Sequence, residues 1–170
     1  ASSIQVVDGQ WTKDVIVTLA KKRTWKVTDL QAAIDQNTIG LPAWSKDASG
    51  KWTAEGMLEP GTYELSSKDT PAGVLKEMVS ARMDVLKSLD FENKAKALHC
   101  GGSACTPEQA LIIASLAESE VTQAHPDGSE VSEAVSARLA AGDALRIDST
   151  TNYGLGIHGQ VSGTQVNDAK

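Results

Sequence analysis

Apolar positions along this chain change their spacing from one stretch to the next, and each change marks an element. Ile4 to Val7, IQVV, make a short strand candidate that Gly9 ends. From Trp11 to Lys21, Val15, Ile16 and Leu19 recur at helical spacing, with Thr12 as the candidate cap. A second helix is predicted from about Thr28 to Gln36, around Leu30, Ala33 and Ile34. Gly40, Pro42 and the polar run Ser45 to Lys51 read as loop. After the turn signal Pro60-Gly61, Thr62 to Leu65 read as a strand. The order strand, helix, helix, strand closes a first unit near Ser66.

A second unit opens at Asp69-Thr70-Pro71, a cap followed by a proline in the first turn. Val74, Leu75, Met78, Val79, Val85, Leu86 and Leu89 then form one stripe, so a long amphipathic helix is predicted to about Leu89. Thr106 to Glu120, TPEQALIIASLAESE, starts the same way, with Thr106 as cap, Pro107 at the first position and Gln109 at capping-box spacing. Its middle is apolar nearly all round, which predicts a helix running through the core. Glu130 to Ala141 is predicted as a last helix, on Val131, Val135 and Leu139, stopping at Gly142. The remainder, rich in Gly, Ser, Thr and Asn, reads as loop.

The helix ending in Glu118 and Glu120 carries the candidate chemistry. At about 100° per residue Glu118 falls on the line of Leu111 and Ser115, and Glu120 near Ile113, so the two acids point apart. A carboxyl at the end of a buried helix loses hydration and meets the partial negative charge of the helix C-terminus. Both favour the protonated form that general-acid catalysis needs. Periodicity alone favours the plainer reading of two solvated surface acids, since perturbed carboxyls also occur in structural networks.

Composition narrows the classes. The 170 residues carry a net charge of −6 and 41% hydrophobic residues, enough for a real core. The acidic balance argues against a nucleic-acid groove or a polybasic membrane patch. The one basic run, Lys21-Lys22-Arg23, reads as the solvated end of a helix. No window reaches the roughly 20 apolar residues of a membrane span. Cys100 and Cys105 sit in a glycine-rich connection, and a disulfide is favoured, which belongs outside the reducing cytoplasm. A metal site using His99 with both thiols lacks a fourth ligand nearby. Of the four tryptophans, Trp11 and Trp25 are expected to be partly buried. Trp44 and Trp52 flank the polar loop, where partial burial is preferred over stacking on sugar rings.

Three segments, in order over about 100 residues, resemble the endolytic murein transglycosylase family, also called the YceG-like or MltG family. They are AEGMLEPGTYEL (54–65), ASLAESE (114–120), and SARL (136–139) with LRIDSTTNYGLG (145–156). The family shows an EG-leader before a P-x-T-Y-x-L strand, an A-S-[IV]-x-E-x-E helix end, an N-R-L helix and an L-Q-[ST]-D-P-T-x-x-Y-G-L-G loop. This sequence departs from that pattern at Ala137, in place of Asn, and at Glu59, in place of an aromatic. Arg146, Ile147 and Ser149 also differ. The family continues with a Tyr/Asn motif and a Gly-Pro-rich segment, and this sequence reaches Lys170 before either.

The resemblance implies an α+β protein with a LysM-like strand-helix-helix-strand subdomain over 1–66. A mainly helical catalytic part follows over 67–170, with its C-terminal segment missing. It implies a lytic transglycosylase that cleaves between N-acetylmuramic acid and N-acetylglucosamine to leave 1,6-anhydro ends. Glu118 would be the acid/base, and Glu120, Arg138, Asp148, Thr150 and Tyr153 would shape the substrate site. No metal or organic cofactor is implied. Implied partners are peptidoglycan strands and cell-wall synthesis proteins, with no nucleic acid. The implied location is outside the cytoplasm, with the membrane reached only through an N-terminal anchoring helix absent from this sequence.

A non-catalytic peptidoglycan-binding or scaffold domain is the alternative, given Ala137 and the changes before Asp148. An older family label, aminodeoxychorismate lyase, needs a phosphate-cradling glycine loop with a Schiff-base lysine, and neither is evident. A Ser-His-Asp hydrolase is disfavoured because His99, His125 and His158 all sit in predicted loops and no G-x-S-x-G motif occurs. Free-thiol titration of unreduced, denatured protein is expected to find almost no reactive thiol. Two free thiols would refute the disulfide.

Overall fold

A computed structural model describes residues 2–100, 102–120, 128–141 and 150. The chain order is β1 (Ser2–Val6), α1 (Thr12–Arg23), α2 (Val27–Asp35), β2 (Gly61–Leu65), α3 (Pro71–Ser88), α4 (Phe91–Ala97), β3 (His99–Cys100), β4 (Ser103–Ala104), α5 (Pro107–Glu120) and α6 (Gly128–Ala141). The architecture is α+β, opening with the strand-helix-helix-strand order that the sequence predicts. Two compact units emerge. The first is Ala1–Lys96 with Thr106–Glu108; the second is Ala97–Cys105 with the chain from Gln109 onward.

In the first unit β1 runs antiparallel to β2, with Ile4 opposite Tyr63 and Val6 opposite Gly61. Strand alternation turns Ile4, Val6, Tyr63 and Leu65 to the same buried side. Helix α1 packs on β1 and on α2, and α2 packs on α3. Leu19, Leu30, Met57, Leu75 and Met78 are the fully buried centre. Because α3 packs here, the compact unit runs on to Lys96, past the boundary that the sequence suggests near Ser66. Two contacts across that point tie α3 to the segment before β2, and a third ties β2 to the same segment. The Glu59 amide donates to the Met78 carbonyl (3.3 Å), Arg82 Nε stands 3.0 Å from Glu59 Oε2, and the Tyr63 hydroxyl donates to the Glu59 carbonyl (2.6 Å).

Several helix ends differ from the sequence reading in how they are held. Thr12 is the first residue of α1 rather than its cap; Trp11 occupies the cap position and supplies no side-chain acceptor. The first-turn amide of Thr12 instead meets the carboxylate of Glu55, 3.3 Å from each oxygen. At the other end, Lys21-Lys22-Arg23 is not simply a solvated terminus. Lys22 Nζ donates to the Ser3 carbonyl (2.9 Å) and Arg23 donates to the Ser66 carbonyl, joining α1 to β1 and to the residue that follows β2. Thr70 does cap α3, accepting from the Gly73 amide at 3.1 Å. The α3 stripe stops short, with Leu89 50% exposed, because the helix ends at Ser88 and Asp90 turns the chain with φ +52°. Helix α4, with Ala95 as its one buried residue, is too short for periodicity to reveal.

The polar loop is ordered by its own side chains. Asp47 Oδ1 accepts from the Ser49 amide and hydroxyl and from the Lys51 amide, at 2.7–3.0 Å. The buried Ser45 hydroxyl donates to the Thr53 carbonyl (2.8 Å). All four tryptophans are half-buried. Lys13, Arg23 and Lys46 lie over the rings of Trp11, Trp25 and Trp52, and Trp44 Nε1 donates to Glu92 (3.0 Å).

In the second unit β3 and β4 form a two-stranded hairpin where the sequence predicts a glycine-rich connection, and Cys100 and Cys105 are joined by a disulfide. The bridge, Ile113, Leu116 and Val135 make this unit's apolar cluster, with Val131 and Leu139 packed against it.

Glu55 holds the start of α1 from outside the helix, so Glu55→Ala is expected to cost about 1–2 kcal/mol in urea unfolding, the worth of a lost cap. Glu55→Gln keeps an acceptor and should lose less than half of that. Equal stability of all three proteins would show that the cap contributes nothing.

Candidate functional site

The helix bearing the candidate acid has the predicted bounds and a different environment. Ala110, Ile113, Leu116 and Ala117 of α5 are buried, whereas Ile112 is 49% exposed and Ala114, Ser115 and Glu118 also face solvent. The expectation of a helix running through the core is therefore corrected to a helix packed along one side. Its sequence misleads because Ala and Ser fill the outer face: they read as apolar or neutral, yet they have little side chain to bury.

That one-sided packing fixes the direction of both acids. Glu120 lies four residues beyond Leu116, about 40° around the helix, so it continues the packed stripe and is half-buried. Glu118 lies about 200° from Leu116 and is exposed. The two carboxyls do point apart, as the phase predicts. The burial part of the sequence argument does not hold for Glu118, which stands in water at the helix end. Beside it, the Ser115 and Ser119 hydroxyls fold back to donate to the carbonyls of Ile112 and Leu116, each at 2.8 Å. Among the described residues of α5, Glu118 is thus the ionisable group on its exposed face.

The other predicted residues are placed as follows. Arg138 is exposed in the last turn of α6, one turn beyond the buried Val135 that faces α5. Ala137 beside it is also exposed, and Thr150 is half-buried. Asp148 and Tyr153 lie outside the described residues. An apolar depression of about 260 Å³, lined by Cys100, Gln109, Ile112 and Leu139, opens beside α5 in the second unit. Among the described residues no cluster of His, Cys, Asp and Glu could hold a metal ion, and no helix is long and apolar enough to cross a membrane.

Sequence reasoning passed over Glu108. It sits in the first turn of α5, where an acid is the ordinary complement to the helix dipole, so nothing in its spacing stands out. Its Oε2 is buried without a hydrogen-bond partner. Burial, followed by repulsion from Asp47, pushes its carboxyl up to about 7. Asp47 itself is held low by Ser49 and Lys51. It is already ionised where Glu108 titrates, so the repulsion falls on Glu108.

A family model described as the YceG-like family matches residues 1–169. The chain belongs to the YceG-like family. The crystal structure of the yceG-like protein lmo1499 from Listeria monocytogenes, determined at 2.6 Å, superposes on this YceG-like chain with a TM-score of 0.76. The two are 20% identical, a level at which the likeness speaks for the fold alone. The superposition covers 97% of this chain and 56% of that one, so the YceG-like chain spans little more than half the length of its structural neighbour. No curated protein matches it.

A half-buried acid with its pKa raised from 4.5 to about 7 makes folding pH-dependent. The folded state holds the proton more tightly, so the stabilisation is complete below about pH 4.5 and is lost as pH rises through about 7. With the group half-exposed, the loss is expected to be about 1 kcal/mol, well below the full linkage value. Denaturation midpoints of the YceG-like chain should therefore fall between pH 5 and 8, and Glu108→Gln should flatten that slope. Parallel curves for the two proteins would assign the slope to another group.

Proposed function

We propose that this chain is the acid-bearing part of a lytic transglycosylase acting on peptidoglycan, with Glu118 as the single acid/base. The observation that carries the reading is the end of α5, where ASLAESE sets an exposed Glu118 and a half-buried Glu120 on a helix whose rotation is fixed by packing. Membership of the YceG-like family supports it. An exposed acid suits a polymeric substrate, because a glycan strand must be approached in mid-chain, and a carboxyl inside a closed pocket would meet only chain ends.

The chemistry needs one carboxyl. Protonated Glu118 gives its proton to the glycosidic oxygen as the bond from C1 of N-acetylmuramic acid breaks. The resulting carboxylate then takes the proton of that sugar's 6-hydroxyl as its oxygen closes onto C1. The products are a 1,6-anhydro end and a free N-acetylglucosamine hydroxyl, and Glu118 returns to its starting form. No water is consumed. The wide carboxylate pair of an inverting glycosidase and the nucleophile of a retaining one are both unnecessary. Glu120, held on the packed stripe, supplies a supporting hydrogen bond on the side away from Glu118; Arg138, Asp148, Thr150 and Tyr153 shape the sugar subsite.

The disulfide supports a location outside the cytoplasm. A membrane anchor and cell-wall synthesis proteins as partners are part of the same reading through the family resemblance alone. One observation favours a second reading, a peptidoglycan-binding scaffold without activity. The exposed Ala137 stands on α6 where the family pattern has Asn.

Full-length protein incubated with glycan strands should release anhydro-muramyl ends detectable by mass spectrometry. Glu118→Gln, which keeps size but cannot deliver a proton, is expected to lower the rate at least about 10²-fold and leave stability unchanged. Glu120→Gln should cost less. Near-normal turnover of Glu118→Gln with loss in Glu120→Gln would move the acid to Glu120. No product from the unaltered protein would favour the scaffold.

A further inference from the structure

We infer that the Cys100–Cys105 disulfide is a positioning element for Glu118: the bridge is the seat on which α5 rests, and its integrity sets the direction of that carboxylate. The catalytic consequence rests on the transglycosylase reading above; the seating of the helix rests on packing alone.

The hairpin places little else in the core. Its neighbouring residues His99, Ser103 and Ala104 are exposed, whereas Cys100 is 8% and Cys105 3% exposed. Both sulfur-bearing residues pack with Ile113 and Leu116 of α5 and Val135 of α6. Strand β3 also packs on α6, and the Cys105 amide donates to the Leu98 carbonyl (2.9 Å), closing the hairpin at its base. Two of the five buried members of this cluster are therefore the cysteines, so the bridge forms a large part of the surface against which α5 is oriented.

Two further features make the bridge hard to replace by weaker contacts. Strands of two residues are too short to hold their own register by backbone bonds. Two separate thiols need more room than one bridge, because a non-bonded contact replaces a bond, and a packed interior resists added volume. The covalent loop is short, and loop entropy grows only with the logarithm of length. Opening it therefore acts on the unfolded chain as well as on native packing, and only the second changes the exchange of α5 selectively.

Glu118 magnifies any such shift. Its carboxylate stands about 5–6 Å from the axis of α5, so a rotation of about 20° displaces it by about 2 Å. A misplacement of about 1 Å can cost about 10²-fold in rate.

The test is hydrogen exchange and kinetics on the full-length protein, oxidised and after reduction by a dithiol, with Cys100→Ala/Cys105→Ala as a second route to the open state. Amides from Ile113 to Glu120 are expected to exchange at least about tenfold faster without the bridge, while those of α1 stay unchanged. The kcat for anhydro-muramyl release should fall at least about tenfold with KM nearly constant, and reoxidation of the reduced protein should restore both. Unchanged exchange in α5 on reduction overturns the seat. Equal acceleration in α1 overturns it too, since that would be general unfolding. If α5 loosens but kcat holds, the bridge does not position Glu118. Absence of product from the oxidised protein sinks the transglycosylase reading, and the exchange measurement still decides the seating.

Discussion

Ile113 and Leu116 pressed against the disulfide and Val135 set the direction of the two acids that end α5. A helix apolar nearly all round could rotate among several seatings at similar cost, and each would send its two terminal acids somewhere different. One packed stripe removes that freedom. It leaves Glu120 half-buried and Glu118 on the opposite side, in solvent. The distinction between a solvent-facing acid and a half-buried one thus comes from rotation about a single axis.

The first unit shows how a family-like motif can serve the fold before it serves any function. In AEGMLEPGTYEL, Glu55 binds the first turn of α1, and Gly56 holds φ +73°, a conformation with little penalty only for glycine. Glu59 meets Arg82, and the Tyr63 hydroxyl binds the Glu59 carbonyl. Glu55 and Glu59 thereby join the segment before β2 to α1 and α3, and Tyr63 joins the strand to that segment. Together with Lys22 and Arg23 at the far end of α1, they hold a two-stranded sheet that would be marginal alone.

The acids of α5 separate by environment rather than by sequence context. Glu108, in a first turn where an acid is unremarkable, is the one with a buried, unpartnered oxygen and a pKa near 7. Glu118, in the segment that resembles a catalytic motif, is exposed. Local spacing points to Glu118 through its family pattern and is silent on Glu108, whose state depends on burial and then on Asp47 in a loop far away in sequence. A titrating group and a candidate catalytic group on one helix need not be the same residue.

The sequence by itself determined the α+β class, the order of the long elements, the bounds of α5 and the cap at Thr70, because periodicity, proline and capping residues act within a few positions of themselves. It also placed the two terminal acids on different sides of their helix, since that follows from helical geometry alone. Tertiary structure alone decided which side was packed, because Ala and Ser read the same whether they face core or water. It likewise decided that α3 belongs with the first unit, that Glu55 caps a helix far from it in the chain, and that Glu108 loses its solvent. Each of these depends on which distant surface a residue meets, and no local pattern of side chains encodes that.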